Sequence, residues 1–76
     1  MKIVDVWKQG SDVFVYCTGD GITSEFSCKA ISTNGKTYAV SAFDVLTSIS
    51  GTVNAVLKLG ASSANDIPHG NFRIVN

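Results

Sequence analysis

The stretch Val13-Phe14-Val15-Tyr16-Cys17-Thr18 decides the fold class of the chain. Its β-branched and aromatic residues are the types that strands favour. Turn-forming pairs stand on both sides of it, Gly10-Ser11 before and Asp20-Gly21 after. A two-residue turn joins antiparallel strands into a hairpin, and Asp-Gly is among the strongest sequence signals for one. Residues 13–18 are therefore predicted to be the central strand of an antiparallel meander.

Strand and turn signals continue outward from this stretch at short intervals. The predicted strands are Ile3–Lys8, Val13–Thr18, Thr23–Ile31, Lys36–Val40, Thr52–Leu59 and Asn71–Val75. Asn34-Gly35 predicts a second type I′ turn, between the third and fourth of these strands. Such spacing is typical of a single all-β domain over residues 1–76, either a sandwich or a small barrel.

Two connections lack a strand pattern. Residues 41–51 begin with the form of a capping box, Ser41 followed by Asp44, but their β-branched residues disfavour a helix. We expect an irregular connection there, with at most one helical turn. Residues 60–70 are small and polar before Pro68. So long a connection in a small domain is expected to be mobile or functional.

Size and composition exclude several classes of protein. The chain has 76 residues and a mass of 8.0 kDa, which suffices for one small domain. It is 45% hydrophobic and 16% charged, a balance that favours folding over disorder. Six basic residues offset six acidic ones, so no basic excess attracts a phosphate backbone. No apolar run is long enough to span a membrane, and charges at residues 2, 5 and 8 exclude a secretory signal. We therefore predict a cytoplasmic location without membrane contact.

The two cysteines, Cys17 and Cys28, are predicted to be buried thiols that pack as small hydrophobic side chains. A disulfide is the alternative, but small disulfide-stabilised domains usually carry about two to four of them, and the chain shows no export signal. The Cys-x10-Cys spacing with one distant histidine, His69, does not match a tetrahedral metal site. No metal and no cofactor is therefore expected.

The turns also predict the register of the meander and hence its two faces. The implied pairs are Val6 with Val15, Val4 with Cys17, Trp7 with Phe14, Val15 with Phe26, and Val13 with Cys28. The apolar residues of one parity form the predicted core face: Val4, Val6, Val13, Val15, Cys17, Phe26 and Cys28.

The opposite face of the meander carries the candidate binding residues. Trp7, Phe14 and Tyr16 are expected to touch across the strands, and Asp5 and Glu25 to flank them. One interpretation is structural, because aromatic cross-strand pairs stabilise a sheet and this face is open to cover by a second sheet or by residues 60–70. The other is functional, because an exposed aromatic patch with an acidic rim is typical of a protein-binding hot spot.

No arrangement of residues predicts catalysis. His69 is the only histidine and lies in a turn, no Gly-x-Ser-x-Gly surrounds a serine, and no glycine-rich phosphate loop occurs. The chain is therefore predicted not to be an enzyme. Aromatic residues for stacking on nucleic-acid bases are present, but the six basic residues are dispersed along the chain. Nucleic-acid binding is the weaker expectation for that reason.

From Lys36 onward the chain resembles a known β-barrel in its order of strands, glycines and turns. The matching stretches are Lys36–Val45, Gly51–Gly60 and Asp66–Val75, with an alternating strand between two glycines and a later Asp-Ile-Pro-His-Gly turn. The pattern is similar to the second domain of translational GTPases such as elongation factor Tu, over about half of the chain. The nucleotide-binding domain of that family has no counterpart here.

The resemblance implies a closed Greek-key barrel of six strands, without the activity of the family. Two functions are expected from the whole sequence. The first is a stand-alone binding module for a protein partner or for self-association, through Trp7, Phe14 and Tyr16 with Asp5 and Glu25. The second is an RNA- or ribosome-associated barrel, as the resemblance implies.

Overall fold

The computed structural model describes residues 1–60 and 67–76, which form an all-β structure. Its strands are β1 Lys2–Gln9, β2 Asp12–Thr18, β3 Ala30–Thr33, β4 Lys36–Thr47, β5 Val53–Gly60, β6 Gly70–Asn71 and β7 Arg73–Val75. The predicted fold class, a small all-β barrel, is confirmed, with seven strands instead of six.

The strands form one antiparallel sheet in the order β6-β1-β2-β5-β4-β3-β7. Only Phe72 separates β6 from β7, so the two ends of this order meet and the sheet is nearly closed into a barrel. Hairpins join β3, β4 and β5 in sequence, and the long connection over residues 19–29 brings β3 away from β2. Because β2 then lies beside β5, the four strands β2 to β5 form a Greek key.

The barrel closes at a break in the last predicted strand. Its first half, β6, pairs with β1, and its second half, β7, pairs with β3. Between them Phe72 is buried, and its backbone N–H donates to the carbonyl of Met1 at 3.2 Å. The Thr33 hydroxyl donates to the carbonyl of Asn71 at 3.1 Å. The strand is split because each half completes a different edge of the barrel.

Two of the predicted turns are confirmed by the backbone. Gly10 and Ser11 form a two-residue loop between β1 and β2, with Gly10 at a φ of 62°. This loop sets Trp7 opposite Phe14 and Val6 opposite Val15, as predicted. Asn34 and Gly35 both have positive φ, 57° and 78°, which is the signature of the type I′ turn expected between β3 and β4.

The predicted pairing of Val4 with Cys17 is wrong, because a β-bulge lies between Ile3 and Asp5. Cys17 pairs with Ile3 instead. An extra residue in a strand reverses the alternation of its side chains. Ile3 is therefore in the core with 1% of its surface exposed, while Val4 is 39% exposed. The predicted core position of Val4 is therefore wrong, and Ile3 takes its place.

The predicted third strand, Thr23–Ile31, is also wrong, since β3 covers only Ala30–Thr33. The chain leaves β2 through two turns, in which the N–H of Ile22 donates to Gly19 and that of Phe26 to Thr23. The positive φ lies at Gly19, 131°, and not at Asp20 or Gly21, so no type I′ turn forms there.

The neighbour of β2 is β5, and Val15 pairs with Leu57 instead of Phe26. On β5 the side chains of Ala55, Leu57 and Leu59 are almost completely buried. These residues give β2 a fully apolar partner, which the polar residues of 23–27 do not. Phe26 and Cys28 remain in the core as predicted, because the connection 19–29 packs across it.

The irregular connection predicted over residues 41–51 is mostly strand. A bulge between Val40 and Ala42 interrupts β4, which then continues to Thr47 in pairing with β5. The turn that follows is tightly hydrogen-bonded, with the N–H of Ser48 donating to the carbonyl of Thr52 at 2.9 Å. The β-branched residues that disfavoured a helix therefore favour a strand. Residues 61–66 of the second predicted connection lie outside the described residues.

The core lies inside the barrel, under β2 and β5. Its buried hydrophobic side chains are Ile3, Val13, Val15, Cys17, Ile22, Phe26, Cys28, Ile31, Tyr38, Ala55, Leu57, Leu59, Ile67 and Phe72. Val6 is half-buried and packs against this cluster. The prediction that both thiols are buried is confirmed.

The bulge in β1 predicts unequal losses of stability when two adjacent residues are replaced by alanine. Ile3→Ala should lower the free energy of unfolding by about 2–5 kcal/mol, because it leaves a cavity in the core. Val4→Ala removes an exposed side chain and should lower it by less than about 1 kcal/mol. Urea denaturation of both variants measures the difference. Equal losses, or a larger loss for Val4→Ala, would show that the alternation is not reversed.

Two glycines with positive φ, Gly10 before β2 and Gly19 after it, predict a second pair of unequal losses of stability. A Cβ at Gly19 would lie 2.7 Å from the Cα of Met1, whereas a Cβ at Gly10 meets nothing within 4 Å. Gly10→Ala should lower the free energy of unfolding by about 1–2 kcal/mol, which is the cost of holding alanine at positive φ. Gly19→Ala should cost more, since the backbone around Met1 must also shift. Thermal unfolding with a similar midpoint for both variants would contradict this packing of Met1.

Candidate functional site

The candidate site is the outer face of the four adjacent strands β1, β2, β5 and β4. Strand registers place its side chains in two rows, each with one residue from every strand. The first row is Trp7, Phe14, Lys58 and Ala42, and the second is Asp5, Tyr16, Val56 and Asp44. We refer to these eight residues as the aromatic face.

The three aromatic residues predicted from the sequence lie together on this face. The rings of Trp7 and Phe14 are stacked, with centroids 5.6 Å apart and planes at 19°. Trp7 is 37% exposed, and Phe14 and Tyr16 are half-buried by their strand neighbours. All three therefore point away from the barrel interior, where β2 instead places Val13, Val15 and Cys17.

The two predicted acidic residues have different positions. Asp5 is opposite Tyr16 on β1, as expected, and its carboxylate accepts the N–H of Val6 at 2.9 Å. Glu25 is exposed in the connection 19–29, because the strand that was to bring it beside Tyr16 does not form. Val56 of β5 occupies that position. Glu25 is thus not part of the aromatic face.

Asp44 supplies the second acid of the face, and the sequence analysis missed it. It lies on β4 opposite Val56, at the other end of the row that begins with Asp5. The expectation of an irregular connection over residues 41–51 hid this position. The apolar residues Phe43 and Val45 on either side of Asp44 were the available signal, since a charge between apolar neighbours is typical of a strand with one outward face.

A shallow groove runs along β4 and β5 beside the aromatic rings. Its volume is about 170 Å³, and it is lined by Phe14, Ala42, Phe43, Asp44, Val56 and Lys58. The ring of Phe43 also contacts Phe26 edge-to-face, with centroids 5.6 Å apart, which anchors this part of β4 to the connection 19–29. The groove is large enough for one apolar side chain.

The aromatic face has a negative formal charge. Among its eight residues Lys58 is the only cation, and its Nζ lies 3.5 Å from the carboxylate of Asp12 at the border. Asp5 and Asp44 carry two negative charges against this one positive charge, so the eight residues sum to −1. The acidic surplus comes from Asp5 and Asp44, which lie on the outer strands β1 and β4.

The described residues offer little that supports catalysis. No group of three or more His, Cys, Asp or Glu side chains among them is placed to hold a metal ion. His69 is exposed in the turn before β6. No helix capable of crossing a membrane occurs in residues 1–60 and 67–76.

Comparisons of the chain with protein-family models, with curated proteins and with solved structures find no match. The resemblance to the second domain of translational GTPases therefore stays a prediction.

The two thiols are held in a form that suppresses their reactivity. Cys17 is fully buried in the core, and the Sγ of Cys28 donates to the carbonyl of Ala30 at 3.1 Å. Burial raises the pKa of Cys17 to about 12, and it raises that of Cys28 as well. Since the thiolate is the nucleophile, we expect neither cysteine to react readily at neutral pH.

This burial predicts a loss of stability in alkali. An unfolded thiol ionises near its ordinary pKa of 9.0, while Cys17 in the folded chain stays protonated to about 12. The contribution of the protonated Cys17 thiol to the free energy of unfolding is therefore complete below pH 9, and it declines as the pH rises from 9 towards 12. In urea denaturation, the free energy of unfolding should fall less between pH 8 and pH 10.5 for Cys17→Ala than for the native chain. An equal drop in both would contradict the prediction.

Proposed function

We propose that the chain is a protein-binding module and that the aromatic face is its docking surface. The observation that carries this proposal is the stacked, outward-pointing pair Trp7 and Phe14, with Tyr16 beside it on the same sheet. Tryptophan and tyrosine are the residue types most enriched in the energetic centres of protein interfaces. The proposal keeps to binding because the described residues show no catalytic arrangement.

The geometry of the face favours tight contact at small entropic cost. Its residues project from four strands that are hydrogen-bonded to one another, so their backbone is already ordered before a partner arrives. Burial of exposed apolar surface yields roughly 25 cal/mol for each Å². Because aromatic side chains have few rotatable bonds, little of that gain is lost in ordering them.

The charge of the face distinguishes this proposal from the alternative, an RNA- or ribosome-associated barrel. Binding to a phosphate backbone requires cations that release condensed counterions. The only cation of the face, Lys58, is paired with Asp12, and the carboxylates of Asp5 and Asp44 repel phosphate. A protein partner is compatible with this charge, and a nucleic acid is not favoured by it.

The proposal is tested by comparing two variants in affinity capture from an extract of the native host. The double variant Trp7→Ala with Tyr16→Ala should fold, since the core lies on the other side of the sheet, and it should fail to capture the proteins bound by the native chain. Ile49→Ser is the matched control, because Ile49 is fully exposed at the hairpin tip away from the face. It should capture those proteins normally.

Three outcomes would contradict the proposal. Capture of the same proteins by the double variant would place the binding site elsewhere. Capture that disappears on nuclease treatment and falls steeply with salt would favour the RNA-associated alternative. Trp7 is the only tryptophan, so its fluorescence reports the face directly. An emission spectrum unchanged by a bound partner would show that the partner does not cover the face.

A further inference from the structure

We propose that the partner docks through a cationic segment, in which two basic side chains on either side of an apolar one pair with Asp5 and Asp44. This inference rests on the proposed function, and it defines the chemistry of the partner. It follows from the position of the two carboxylates relative to the apolar centre of the aromatic face, and from the lack of an ion pair to either of them within residues 1–60 and 67–76.

The two carboxylates stand at opposite ends of one row. Asp5 on β1 and Asp44 on β4 are separated by Tyr16 and Val56, which lie on β2 and β5. Three spacings between adjacent strands put the ends of the row roughly 14 Å apart along the sheet. The row therefore presents an acid, an aromatic side chain, an apolar side chain and a second acid in succession across the four strands.

Neither of these carboxylates has an ion-pair partner among the described residues. The Asp5 carboxylate accepts a backbone N–H from Val6, which leaves its charge uncompensated. The nearby ammonium of Lys58 is directed to Asp12, 3.5 Å away. An apolar partner would desolvate both carboxylates without any compensation, which is costly, whereas a partner with two cations gains from them.

The same charges argue against a second copy of the chain as the occupant. A symmetric face-to-face dimer has a two-fold axis in the plane of the interface. An axis parallel to the strands would bring Asp5 onto Asp44 of the second copy. An axis along the row would bring Asp5 onto Asp5, and Asp44 onto Asp44, of the second copy. Both arrangements set like charges together, so a partner of opposite charge is favoured.

An extended segment fits the spacing of the row. In a β-strand, residues i, i+2 and i+4 project to one side, and the first and last are roughly 13 Å apart. A segment of the form Arg-x-Leu-x-Arg, laid across the four strands, would place its arginines near Asp5 and Asp44. Its leucine would lie over Tyr16 and Val56, beside the 170 Å³ groove.

Arginine suits both ends of this row better than lysine. Its planar guanidinium binds a carboxylate through two parallel hydrogen bonds, and it also stacks on aromatic rings. Near Asp5 the partly exposed ring of Trp7 is available for such stacking. Substitution of lysine for arginine in the partner should therefore weaken binding although the charge is kept.

The test is a selection of random 12-residue peptides displayed on phage against the native chain. We expect selected peptides to carry two basic residues about four positions apart with an apolar residue between them. Their affinities are then measured by the fluorescence of Trp7. The double variant Asp5→Asn with Asp44→Asn should bind the selected peptides about tenfold more weakly at low salt, and this difference should disappear in high salt.

The control carries the same change of charge at exposed positions off the face. The double variant Asp20→Asn with Glu25→Gln should bind the selected peptides as the native chain does. Asparagine at position 5 still accepts the Val6 N–H through its side-chain oxygen, so loss of folding does not explain a loss of binding. Circular dichroism checks that both variants fold.

The outcomes separate this inference from the proposed function. Selected peptides that are neutral or acidic, but still need Trp7, would overturn the cationic partner and leave the docking surface standing. A dimer in sedimentation equilibrium that Trp7→Ala dissociates would overturn it in favour of a second copy. Failure to select any peptide that depends on Trp7 and Tyr16 would overturn the proposed function, and this inference with it.

Discussion

The pairing of β2 with β5 is the interaction on which the rest of the structure depends. From Asp12 with Gly60 to Cys17 with Ala55 the two strands stay in register without a bulge, and their inward side chains are among the most completely buried of the described residues. β1 and β4 add to the two sides of this pair. The outer face of all four strands is therefore carried by a continuously hydrogen-bonded backbone.

Two bulges mark where the alternation of β1 and β4 changes. One lies between Ile3 and Asp5 and the other between Val40 and Ala42. The first leaves Ile3 buried in the core, while Asp5 and Trp7 point outward on its other side. Beyond the second, Ala42 and Asp44 point outward and Val45 packs against the core. Asp5 and Asp44 both lie on the hairpin side of these bulges, so the turns before β2 and β5 set their pairing with Tyr16 and Val56.

The aromatic face combines an apolar centre with negative charge at both ends, and in the proposed complex these two properties would act at different stages of binding. The carboxylates would act over distance, where they attract a cationic partner, repel nucleic acid and are screened by salt. The stacked rings would act only in contact, where they exclude water and supply most of the affinity. The proposed surface would thus select its partner by charge and hold it by apolar contact.

The sequence alone determined those features that depend on neighbouring residues. The strand at residues 13–18, the loop at Gly10-Ser11 and the shared outward parity of Trp7, Phe14 and Tyr16 follow from residue type and from the period of two along a strand. Tertiary structure decided what depends on competition between distant segments. β5 displaced the predicted third strand beside β2 because its Ala55, Leu57 and Leu59 bury more apolar surface, and this placed Glu25 off the face. Asp44 joined the face only because β4 pairs with β5 from Val40 to Thr47, which the local pattern of residues 41–51 did not specify.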